Sequence, residues 1–104
     1  MPRSRLVRDL GTHNFLMLRN HGLLTVGPSI ADAFLLMFTF QRTCEIQVAA
    51  LAGNGAGDKL IPVDPKIVAG VKANVQIVTK GMMGQLAWPG LLRKLDRESP
   101  GYKD

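Results

Sequence analysis

Only one cysteine, Cys44, occurs in the 104 residues, so no internal disulfide forms and no multi-cysteine zinc site can be built. A reducing, cytoplasmic setting is the expectation. Histidine is almost as scarce, with only His13 and His21. Aromatic residues make up 6% of the chain, and none lies between the arginines of either basic cluster. Long apolar runs are missing too: the stretch from Ala33 to Phe40, which contains Thr39, is about half of what crosses a bilayer. No membrane insertion is expected. The basic start, Arg3 to Arg8, has no apolar core or small-residue cleavage site behind it, which speaks against a secretory signal.

What is present is a globular composition, 46% hydrophobic and 20% charged, with mean hydropathy near zero. A single domain is the expectation for this length. The net charge of +5 raises a nucleic-acid reading. The charge is split, however, between Arg3, Arg5 and Arg8 at one end and Arg93, Lys94, Arg97 and Lys103 at the other, where Asp96, Glu98 and Asp104 offset it. These are read as solvated helix faces, and no nucleic-acid partner is expected.

Leu6, Val7 and Leu10 mark a short helical turn stopped by Gly11. Phe15 to Leu18 and Leu23 to Val26 are apolar runs too short for helices, and both predict buried strands. Between them, Arg19-Asn20-His21-Gly22 is a polar interruption whose glycine lets the chain turn sharply or approach a ligand. Ser29 and Asp32 have capping-box spacing and predict a helix from Ile30 to Ala52. Its apolar face runs through Phe34, Met37, Cys44, Val48 and Leu51. Leu35, Leu36, Phe38 and Phe40 fall on its other faces, so its first half should be buried nearly all round by a sheet and a second layer or a partner.

Gly53 to Asp58 is glycine-dense but lacks the Lys-Ser/Thr of a phosphate-binding loop, and it is read as a flexible linker. Asp64-Pro65 predicts a helix from Lys66 to about Lys80, with Ile67, Val68, Val71, Val75 and Val78 on one face. A last helix, Gln85 to Arg97, should break or kink near Trp88 because of Pro89 and Gly90. From the residues alone, His21 is a turn histidine, ahead of a metal ligand or acid/base, with no partner at metal spacing. Cys44 is read as an inert buried thiol, and Arg42 with Glu45 as a local pair.

Two blocks carry a resemblance. Phe15-Leu-Met-Leu-Arg-Asn-His-Gly-Leu-Leu-Thr-Val-Gly27, followed by the helix from Ser29 to Val48, resembles the class II aldolase and adducin head family. Ala87-Trp-Pro-Gly-Leu-Leu-Arg-Lys-Leu-Asp96 and Gly101-Tyr102 resemble the C-terminal segment of its adducin-like bacterial branch. The resemblance implies an α/β fold, part of a three-layer α/β/α sandwich, here two buried antiparallel strands followed by three helices. It makes residues 1–104 the C-terminal half of one such domain.

The resemblance further implies a zinc-dependent lyase performing retro-aldol cleavage of a small sugar-phosphate or hydroxy-carbonyl substrate. His21 matches the family's third metal-binding histidine. The family's His-x-His pair and glutamate have no counterpart here, so the chain alone is expected to be catalytically incomplete, completed by a complementing chain or left as a remnant. Asn20 and Gly22 would support His21. The alternative is a self-associating module like the adducin head, a homo-oligomer held through Phe34, Met37 and Phe38.

Overall fold

The structure is a computed structural model that describes residues 3–53, 55 and 59–104. Helix α1 (Arg3–Leu10) ends where Gly11, at φ 56°, donates its N–H to the Val7 carbonyl at 3.1 Å. Strands β1 (Phe15–Leu18) and β2 (Gly22–Thr25) then pair antiparallel, with Phe15 opposite Thr25 and Leu18 opposite Gly22. The two predicted strands thus form a hairpin across the polar interruption. Its turn needs positive φ at Asn20 (60°) and Gly22 (125°), conformations open to asparagine and glycine but costly for most residues. At its open end the Asn14 side-chain amide donates to the Val26 carbonyl at 2.9 Å.

Helix α2 (Ile30–Ala52) begins as the capping spacing predicts. The Asp32 N–H donates to Ser29 Oγ at 3.1 Å, and Ser29 Oγ donates to Asp32 Oδ2 at 2.8 Å. The Thr25 hydroxyl donates to the Ala33 carbonyl at 2.9 Å, and the Phe15 and Phe40 rings meet edge to face at 5.2 Å. These contacts lay the hairpin on the first half of α2. Helix α3 (Pro65–Thr79) is capped by Asp64, which accepts from the Lys66 N–H at 2.8 Å. It ends in left-handed Lys80 and Gly81. Helix α4 (Met83–Glu98) and a closing 3₁₀ turn (Pro100–Lys103) complete the order.

The N-cap of α4, Met82, offers no side-chain acceptor. The acceptor comes from 52 residues away: Asp32 Oδ1 takes the Gly84 N–H at 2.9 Å. Gly84 is buried, and a Cβ there would collide with the backbone of Ala31 and Asp32, so glycine is what lets the two helix starts cross. Trp88 then meets Phe34 edge to face at 5.6 Å. With both ends of its first two turns anchored, α4 starts at Met83 and no boundary falls at Pro89, where the sequence predicted a start at Gln85 and a break or kink near Trp88. Proline removes a single helical hydrogen bond there, and tertiary packing outweighs that loss.

Burial departs from expectation more than the elements do. Neither strand is buried, with Phe15 41% and Met17 63% exposed. Phe34 and Phe38 are exposed on the half of α2 expected to be enclosed, and among the described residues Ala31 is the buried apolar one. The accessible surface is 8843 Å², about 3,100 Å² above a compact chain of this mass. The radius of gyration is 17.3 Å, against about 13 Å for a compact fold of this length. The described residues form one two-stranded ribbon that α1 and α2 contact, and they do not by themselves make a three-layer sandwich. Gly53 and Gly55 lie in the predicted linker, whose residues 54 and 56–58 are outside the described residues.

The Asp32–Gly84 crossing sets a stability prediction. Gly84→Ala is expected to lose about 3 kcal/mol by overpacking, and Asp32→Ala about 1 to 2 kcal/mol, in urea denaturation followed by helical circular dichroism. Gly90→Ala, whose Cβ would meet only the end of Arg93, should instead gain a few tenths of a kcal/mol. Equal responses at Gly84 and Gly90 would show that the crossing carries no close contact.

Candidate functional site

The hairpin turn puts His21 on the wall of an open cavity of about 560 Å³, formed with α1 and the backbone of β1. Arg5, Asp9, Arg19 and Asn20 share that wall. The antiparallel return of the chain from α1 into β1 explains the grouping, because the start of α1 comes to lie beside the end of β1. Arg5 and Asp9 are one helical turn apart and form an ion pair at 3.6 Å, while Arg8 approaches the other Asp9 oxygen at 3.6 Å. The single carboxylate on the wall is thus already engaged by two guanidinium groups. Arg5, read from sequence as part of a solvated face, lines the cavity together with Asp9; their i,i+4 spacing on the helix that precedes the hairpin was the available signal.

His21 is exposed, as is His13, which does not line this cavity. Asn20 occupies the left-handed region immediately before His21, and Gly22 follows it at φ 125°, so both flank the imidazole through backbone geometry. Cys44 is half-buried on α2, and Arg42 pairs with Glu45 at 3.1 Å as predicted. Among the described residues no three histidine, cysteine or acidic side chains gather where a metal ion could be held. Of the proposed interface residues, Phe34 faces Trp88, Met37 is half-buried and Phe38 is 57% exposed.

Perturbed titration appears instead at the far end of the molecule. Asp96 accepts from Lys103 Nζ at 2.7 Å and from the Tyr102 hydroxyl at 2.8 Å, clasping the 3₁₀ turn onto α4. The Lys103 hydrogen bond, then that of Tyr102, holds the Asp96 carboxyl below its ordinary range. The same bonds raise Tyr102 and Lys103. All three groups are solvent-exposed, so the clasp is a local latch of small stabilising worth.

Comparison with known proteins agrees with this architecture. Residues 3–48 match the model of the class II aldolase and adducin N-terminal domain. The chain belongs to the class II aldolase and adducin family. It is 56% identical over 104 residues to a Pseudomonas aeruginosa protein named "Putative aldolase class 2 protein", covering 97% of this chain and 39% of that one. It is 38% identical over 112 residues to human gamma-adducin, covering 97% of this chain and 16% of that one. A crystal structure of an aldolase II superfamily protein from Pseudomonas syringae superposes with a TM-score of 0.77 at 34% identity, covering 98% of this chain and 40% of that chain. The chain therefore spans about two fifths of the aldolase-named relatives it matches. No helix among the described residues is long and apolar enough to cross a membrane.

The clasp gives a pH prediction. A depressed Asp96 favours the clasped state above the ordinary carboxylate range and loses that contribution as pH falls through its lowered pKa. Raised Tyr102 and Lys103 contribute below their ordinary values and lose that contribution as pH rises through their raised ones. Protection of the Tyr102 and Asp104 amides, read by hydrogen exchange, should hold from about pH 4, the ordinary carboxylate value, to about pH 10, the ordinary tyrosine value, and fall only beyond those limits. Asp96→Asn should remove the acid limb, and an unchanged acid limb in that variant would assign the latch to other groups.

Proposed function

We propose that His21 is one imidazole ligand of a divalent metal, zinc by family likeness, in a lyase of the class II aldolase type acting on a small hydroxy-carbonyl or sugar-phosphate substrate. The observation that carries this reading is the position of His21: exposed at the apex of a hairpin, on a cavity wall with Arg5 and Arg19, in the Arg-Asn-His-Gly block of the family. Gly22 leaves room at the backbone beside the ring, and Asn20 would orient it. A catalytic zinc takes three protein ligands plus an open position and acts as a Lewis acid toward carbonyl oxygen. The described residues do not fit such an ion by themselves, since they supply one histidine and an Asp9 already paired with arginines.

The chain is accordingly catalytically incomplete on its own, and its missing ligands belong to a part of the family domain that it does not match. The same part would complete the three-layer sandwich over the exposed ribbon, in a cytoplasmic protein. The surplus surface supports a second reading, a self-associating module without catalysis, assembled through Phe34, Met37 and Phe38 of α2.

Elemental analysis separates the two. The purified chain should hold well under one zinc, and mixing with a polypeptide covering the unmatched part of the Pseudomonas aeruginosa relative should raise this to roughly one per complex. His21→Ala should abolish the gain without dissolving the complex. Zinc uptake that survives His21→Ala would remove the ligand role, while a Phe38→Asp variant that loses mass in solution without affecting zinc would favour the scaffold reading.

A further inference from the structure

The His21 cavity carries charge that a metal ligand does not use. The His21 N–H donates to the Leu18 carbonyl at 3.2 Å, which closes a turn with Arg19 and Asn20 at its centre. Asn20 holds a left-handed conformation at φ 60° between Arg19 and His21, and both of those residues line the cavity. Their spacing is set by the backbone of a closed turn.

Arg5 and Arg8 divide the two oxygens of Asp9 between them, each at 3.6 Å, and Arg8 does not line the cavity. Arg19 has no such partner. Among the described residues its guanidinium makes no ion pair or hydrogen bond, so a planar fork of N–H donors stands free on the wall that carries His21. Such a fork pairs two donors with two oxygens of a carboxylate or a phosphate. The charge on the wall favours the first. Arg5, Arg19 and Asp9 together leave one positive charge facing the cavity, which a carboxylate monoanion balances. A phosphate monoester is close to a dianion at neutral pH, so it would exceed that charge and bring more negative charge toward Asp9.

The geometry points to Arg19 as the residue that grips the carboxylate of a small hydroxy-carbonyl acid, with Arg5, held by Asp9, as the second cation on the wall. The cavity, at about 560 Å³, is of ordinary size for a small-molecule site. As a substrate assignment this rests on the metal-ligand reading of His21, and of the two substrate classes named there it selects the acid over the sugar phosphate. The grip itself needs no metal, because guanidinium and carboxylate pair directly, so it is measured on the chain alone.

The metal-free chain is titrated with glycolate, and separately with methyl phosphate, at constant ionic strength, while NMR follows the guanidinium carbon of Arg19 and the ring carbons of His21. Glycolate should shift both residues saturably with a Kd on the order of millimolar, and methyl phosphate should bind more weakly. Read at His21, Arg19→Gln should weaken glycolate binding about tenfold and Arg19→Lys should restore part of the loss. Arg93→Gln, which removes the same charge outside the cavity, should change nothing. Shifts that never saturate, equal weakening by Arg93→Gln, or full binding in Arg19→Gln of normal helicity would overturn the grip. Tighter binding of methyl phosphate would overturn the choice of a carboxylate. Zinc uptake on complementation should survive Arg19→Gln, so failure of the metal reading shows in zinc content and failure of the grip in the titration. Loss of zinc in that variant would overturn a role for Arg19 separate from His21.

Discussion

One carboxylate organises the starts of two helices. Asp32 completes the cap of α2 with Ser29 and at the same time takes the Gly84 N–H that opens α4. Helix starts carry unpaired N–H groups and partial positive charge, so an anion shared between two of them offsets both. The bond is short only because Gly84 has no side chain, and that closeness brings Trp88 to Phe34 and lets α4 continue through Pro89. The hairpin depends on the same helix, held to it by Thr25 and by the Phe15–Phe40 contact. His21 owes its position to that chain of contacts.

Around this joint the molecule is open. Its surplus surface is apolar as well as polar, with Ile30, Val48, Ile61 and Ile77 well exposed. Burying such surface is the main favourable term in folding, and here much of it is left in water. The aldolase-named relatives it matches are about two and a half times as long, and among the described residues no three histidine, cysteine or acidic side chains gather around the imidazole at the hairpin apex.

Much of the local structure was legible. Ser29 with Asp32, Asp64 with Pro65, and Gly11 signal helix ends through backbone hydrogen bonding, and the structure places those ends within a residue or two of the expectation. The hairpin and its polar turn were legible for the same reason, since Asn20 and Gly22 tolerate the positive φ that the turn needs. Burial was not. A run such as Phe15 to Leu18 states that it prefers to leave water, but not whether a covering layer is present.

The candidate site divides along the same line. The residues alone mark His21, with Asn20 and Gly22, as a notable polar break between apolar strands, because composition and spacing are local properties. That Arg5 and Asp9 stand on the same wall follows only from the return of the chain, as does the double use of Asp32 across 52 residues. Local backbone chemistry determines where elements start and stop. Which side chains meet depends on how those elements cross, and here one glycine and one carboxylate decide it.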